Sequence, residues 1–178
     1  MGPRRKHVVQ QHARALLEQF GVTTPPVPVD RIAAGLGIRV VIQSFPDDAV
    51  SGFYFRRGTE RVIGVNKGHA PVRRRFTLAH ELGHVLLTAH DDLHIDRSVL
   101  LRDARSTSGG DWREVEANAF AAELLLPMNM VDTAIRRQGG LDLDEDASVK
   151  RLAATFGVST QALLIRLTST RAEVPINR

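Results

Sequence analysis

The stretch RRRFTLAHELGHVLLTAH, residues 73–90, sets His80, Glu81 and His84 inside an otherwise apolar run. Phe76, Leu78, Ala79, Leu82, Val85 and Leu86 recur at helical spacing and cover more than one face, so this helix belongs inside the fold. A helix buried on most sides carries its polar side chains in with it. A buried His-Glu-His group is costly unless something satisfies it, and a metal ion does so. His80 and His84 lie one turn apart on one face, close enough to share an ion, and Glu81 reaches the same side obliquely. A chain of this composition contains HExxH by chance roughly one time in a hundred, which favours a site over three tolerated side chains.

Two imidazoles on one ion suit Zn2+, which lowers the pKa of bound water towards roughly 7, and Glu81 stands where a general base for that water is needed. The chain has no cysteine. Thiolate zinc sites and a disulfide framework are therefore excluded, and a metal must be held by histidine and carboxylate.

A tetrahedral catalytic site needs a third protein ligand, for which there are two candidates. His90 completes the histidine spacing HExxHxxGxxH, but Leu87 stands where that pattern has its bending glycine. Six further residues on a straight helix rotate about 240° and would carry His90 away from His84. The other candidate is Glu114 in WREVEANAFAAELLLP, with Asn118 one turn later on the same face. A helical Glu ligand, followed one turn on by an Asp or Asn that hydrogen-bonds towards a histidine ligand, is the gluzincin arrangement. Glu114 with Asn118 fits it; Glu116 with Phe120 does not, which leaves Glu116 and Glu123 as solvent-facing or ion-paired residues.

Around this helix the periodicity predicts a first helix over 8–20 closed by Gly21, a proline-rich turn, and a short helix from Asp30. Three short strands follow in IRVVIQSF, VSGFYFRR and RVIGVN, two of them a hairpin through RGTE. The polar stretch 91–111 reads as a long loop, with Asp111 as N-cap of a helix over 112–126. Further helices are expected at about 128–138, 148–156 and 159–169. The fold class is α+β: a zincin-like core over 1–126 with a three-stranded sheet, and a C-terminal helical segment over 127–178. The strand of Ser51–Arg56 or that of Arg61–Asn66 is the expected edge for a peptide substrate, and Tyr54 either packs or hydrogen-bonds an oxyanion.

Formal charge is +4, with arginine clusters at 4–5, 73–75 and 136–137. With one Trp and one Tyr, base stacking has few partners, and a solvated surface is the simpler reading. No apolar run is long enough for a membrane span and the N-terminus lacks a signal-peptide pattern, so a cytoplasmic protein is expected. In SVKRLAATFGVSTQALLIRL, Leu163, Leu164, Ile165 and Leu167 indicate packing and favour a helical buttress, or a dock for a repressor substrate, over DNA contact. The segment still has a helix-turn-helix pattern in which Gln161 and Arg166 are the candidate base readers. This supports a rival reading: a DNA-binding regulator, or a toxin-antitoxin component acting through binding, with a vestigial metal motif.

Taken together, PPVPVDRIAAGLGIRV, SGFYF, VIGVN, RRRFTLAHELGHVLL, EVEANAFAAELLLP and VKRLAATFGVSTQALLIRL resemble the ImmA/IrrE family of metallo-endopeptidases. The resemblance implies a small zinc peptidase with His80, His84 and Glu114 as ligands and Glu81 as general base. It further implies helix-turn-helix repressors as the substrate class, cleaved in stress response or in the control of mobile elements.

Overall fold

The computed structural model describes residues 3–87, 93–97 and 112–171. Among them are seven helices and a four-stranded sheet. Helix α1 (Pro3–Gln19) buries Val9, Ala13, Leu16 and Leu17, the stripe expected from its spacing. It stops where Gly21 turns left-handed at φ 63° and the Val22 amide donates back to the Leu17 carbonyl at 2.9 Å. Helix α2 (Val29–Gly35) leads into β1 (Arg39–Gln43), followed by β2 (Val50–Arg57) and β3 (Glu60–Asn66). The β2–β3 hairpin closes through Gly58 at φ 59°.

The fourth strand, β4 (Leu93–Arg97), lies in the stretch expected to be loop. Its pattern hid it. Leu93 and Ile95 are 57% and 52% exposed while the polar His94 between them points inward. Normal alternation is inverted because the inward neighbour of this strand is a polar cluster and not the apolar core.

Strand order is β1-β3-β2-β4, with β1 parallel to β3 and β2 antiparallel to both β3 and β4. The expected substrate edges are therefore corrected: Ser51–Arg56 and Arg61–Asn66 are interior strands, and β1 and β4 form the edges. The hairpin was legible locally, but β1 skips its neighbour in sequence to pair with β3, and β4 returns from beyond the HExxH helix to pair with β2.

Helix α3 (Pro71–Leu87) lies on one face of the sheet, and α4 (Trp112–Leu125) packs against it. Two glycines set these distances. A Cβ at Gly52 of β2 would stand 2.5 Å from Thr77 Cγ2 and 3.3 Å from Glu81 Oε1, so the strand can pass beneath α3 only without a side chain. A Cβ at Gly83 would stand 3.0 Å from the Ala117 Cα, so α3 and α4 meet backbone to backbone just where the histidines sit.

Helices α5 (Met128–Arg137), α6 (Asp146–Phe156) and α7 (Thr160–Arg171) follow. Gly157, at φ 63°, turns the chain from α6 towards α7. Arg75 of α3 donates to the Gly157 carbonyl at 3.1 Å and to the Val27 carbonyl at 2.9 Å, tying both flanking segments to the HExxH helix. Arg73 donates to Ser51 Oγ at 3.0 Å. Two residues of the central arginine cluster thus serve internal packing.

Arg166 is buried and paired with the buried Glu123, which also accepts from Arg14 at 2.7 Å. This corrects Arg166 as a reader of bases, since its guanidinium also donates to the Leu126 carbonyl at 3.2 Å. Glu116 is buried as well, so it does not face solvent. Tyr54 lies in the apolar core with Ile63 and Leu82, the packing role. No helix among the described residues is long and apolar enough to cross a membrane.

Candidate metal centre

Thr77 to His84 of α3 are all buried, because the sheet covers one side of this helix and α4 another. His80 and Glu81 are fully inaccessible and His84 nearly so. The two imidazoles converge, with His80 Nε2 and His84 Nε2 3.0 Å apart. Across the helix seam, Glu114 of α4 places Oε2 3.3 Å from His80 Nε2 and Oε1 3.2 Å from His84 Nε2. One turn on, Asn118 Oδ1 accepts from His80 Nδ1 at 3.0 Å. That bond holds the His80 ring with Nε2 turned towards the cluster.

Burial by itself would push the Glu114 carboxyl up, but hydrogen bonds from His80 and His84 and their charge outweigh it. The carboxyl is held well below its ordinary value. Glu114 therefore stays ionised, the state a ligand needs.

The sequence-predicted residues His80, His84 and Glu114 come together, and Glu81 shares their buried turn. His90 lies outside the described residues, as does Asp111. The structure adds one residue that sequence reasoning missed: His94 of β4, whose Nε2 is 3.5 Å from Glu114 Oε1 and whose ring centroid is 3.9 Å from that of His84. The signal available was the isolated alternation Leu-His-Ile, too short to mark a strand between charged residues.

Each of His80, His84, His94 and Glu114 offers one ligand atom, and these atoms lie within 4.8 Å of one another. Imidazole and carboxylate without thiolate form a donor set of intermediate hardness suited to zinc and neighbouring divalent ions. Two clefts, of about 420 and 430 Å3, lie against α5 and are lined by residues such as Asn129 and Met130. No member of the histidine cluster lines either, so converging buried donors, and not concavity, locate this site.

The family model described as "IrrE N-terminal-like domain" matches residues 33–168, a span that contains the whole cluster. The chain belongs to the ImmA/IrrE family of metallopeptidases. Within this family it is 33% identical to the radiation response metalloprotease IrrE of Deinococcus radiodurans over 119 residues, 65% of this chain and 33% of that protein. Identity to the Deinococcus deserti protein of the same name is 40% over 82 residues, 44% of this chain and 27% of that one. An "uncharacterized immunity region protein 2" of Bacillus phage phi105 is 28% identical over 120 residues, 67% of this chain and 69% of that protein. A solved structure, a Mycobacterium tuberculosis transcriptional regulator, superposes with a TM-score of 0.63 at 26% identity, over 97% of this chain and 49% of that one. This ImmA/IrrE chain thus spans a third or less of the two IrrE proteins and about half of the regulator.

Proposed function

We propose that this chain is a zinc endopeptidase that hydrolyses a peptide bond in a regulatory protein, a helix-turn-helix transcriptional repressor. The observation that carries the reading is the meeting of His80, His84 and Glu114 donor atoms at 3.0–3.3 Å across the α3–α4 seam, with Glu81 buried on the same turn. The repressor as substrate is supported by family membership and by the phage relative, whose name places it in an immunity region.

When held by His80, His84 and Glu114, zinc supplies a Lewis acid for the scissile carbonyl and lowers the pKa of the attacking water towards roughly 7. Glu81 takes the water's proton on its carboxylate and passes it to the departing amide nitrogen. Asn118 keeps the His80 ring in the tautomer and orientation that ligation requires. Of the two sheet edges, β4 carries a residue of the cluster, so the substrate adds as a strand along β4. An inert peptide should then perturb amide signals of β4; perturbation of β1 alone would move the groove to the other edge.

The deciding experiment incubates the metal-loaded chain with the helix-turn-helix protein encoded beside its gene. Wild type should cut it, and Glu81→Gln should retain zinc and leave it intact. If wild type leaves it whole, and wild type and Glu81→Gln both bind one specific duplex with strong salt dependence, the DNA-binding regulator is the better reading.

A further inference from the structure

We propose that His94 is a fourth, displaceable protein ligand that closes the metal centre until a substrate strand arrives; this rests on the zinc-peptidase reading above. Ligands about 2.0–2.1 Å from a tetrahedral ion stand about 3.3–3.4 Å from one another. The cluster shows 3.0 Å for His80 to His84, 3.3 and 3.2 Å for the histidines to Glu114, and 3.5 Å for His94 to Glu114. The His94 separation is long for a charge-assisted hydrogen bond, about 2.7–2.9 Å, and close to the separation of two ligands on one ion. Its imidazole also lies directly against that of His84, with the rings tilted by 35°.

The four donors differ in how they are held. His80, His84 and Glu114 sit on two helices locked at the Gly83 contact. His94 sits on β4, which among the described residues pairs only with β2, in a register that shifts between Val50 and Gly52. Its side chain is 22% exposed where those of His80 and His84 are 0% and 4%. Zinc sites with four protein ligands are closed and structural, whereas catalytic ones keep a position open. A substrate that pairs with β4 acts on the strand that carries the fourth ligand. His94 Nε2 would then withdraw and leave its position open to the water that Glu81 deprotonates, an exchange of one ligand for another in which no electron is transferred.

Zinc X-ray absorption on the full chain counts the imidazoles. Three are expected in wild type and two in both His94→Ala and His94→Gln, with zinc affinity against a chelator falling about tenfold or more. Adding a peptide hydroxamate to wild type should lower the count from three to two. Two imidazoles in resting wild type, or an unchanged count in both variants, would overturn the assignment, and a count that stays at three with hydroxamate would overturn displacement. The two readings fail differently. If His84→Ala binds zinc like wild type, the zinc-peptidase site itself is wrong. If His84→Ala loses zinc while both His94 variants keep the wild-type coordination, only the role of His94 falls.

Discussion

Replacing Gly83 by alanine adds one methyl group at the contact between the two helices that carry the candidate ligands. That methyl would lie 3.0 Å from the Ala117 Cα, 3.2 Å from its carbonyl oxygen and 3.2 Å from Phe120 Cδ1. Two of the three neighbours are backbone and cannot rotate away, so α4 must retreat by a few tenths of an ångström. Alanine favours an isolated helix over glycine by about 1 kcal/mol, while overpacking a tight interior contact costs about 1–3 kcal/mol. The net loss is about 0–2 kcal/mol, which for a chain of this size lowers the apo Tm by at most about 8 °C. The larger effect falls on the metal. Glu114 rides on α4 and the histidines on α3, and ligand distances must hold to within about 0.2 Å. Zinc affinity, measured by competition with a chromophoric chelator, should fall tenfold or more, about 1.4 kcal/mol. A variant with a raised Tm and zinc affinity within about twofold of wild type would show that Gly83 does not set the seam.

Asn118→Ala removes the acceptor for His80 Nδ1 and should weaken zinc binding about 10–100-fold while leaving the apo fold intact by circular dichroism. Arg166→Ala leaves the buried Glu123 carboxylate with only the half-exposed Arg14. This should cost about 3–5 kcal/mol in urea unfolding, and a loss below about 1 kcal/mol would deny the pair its structural role. The depressed pKa of Glu114 fixes one further outcome. Its ionised form is favoured at any pH above the ordinary 4.5 and is lost only as pH falls through the lower folded value. Protonation of Glu114 should therefore remove no zinc affinity between about pH 7 and 5, read by chelator competition. A one-proton slope centred near the carboxylate range would contradict it.

The parts of the site that lie on single helices were legible in the sequence. His80 with His84, and Glu114 with Asn118, are each four residues apart, and helical geometry converts that spacing into a shared face without any tertiary knowledge. The strands 39–43, 50–57 and 60–66 and the bend at Gly157 followed from β-branched runs and turn residues in the same local way.

What remained hidden depends on non-local packing. His94 joins the cluster because β4 pairs with β2, a contact between residues about forty positions apart, and its inverted polarity makes local alternation misleading. Glu123 and Arg166 look like surface charges until the fold buries both and pairs them. Edge and interior strands likewise cannot be told apart from composition when a parallel β1 is added beside β3.

A crystal of the zinc-loaded chain, measured on both sides of the zinc absorption edge, locates the ion against its ligands in one map. The expected anomalous peak lies about 2.0–2.2 Å from His80 Nε2, His84 Nε2 and a Glu114 carboxylate oxygen. A peak bound elsewhere, or one at the histidines with Glu114 turned away, would contradict a metal centre built across the α3–α4 seam.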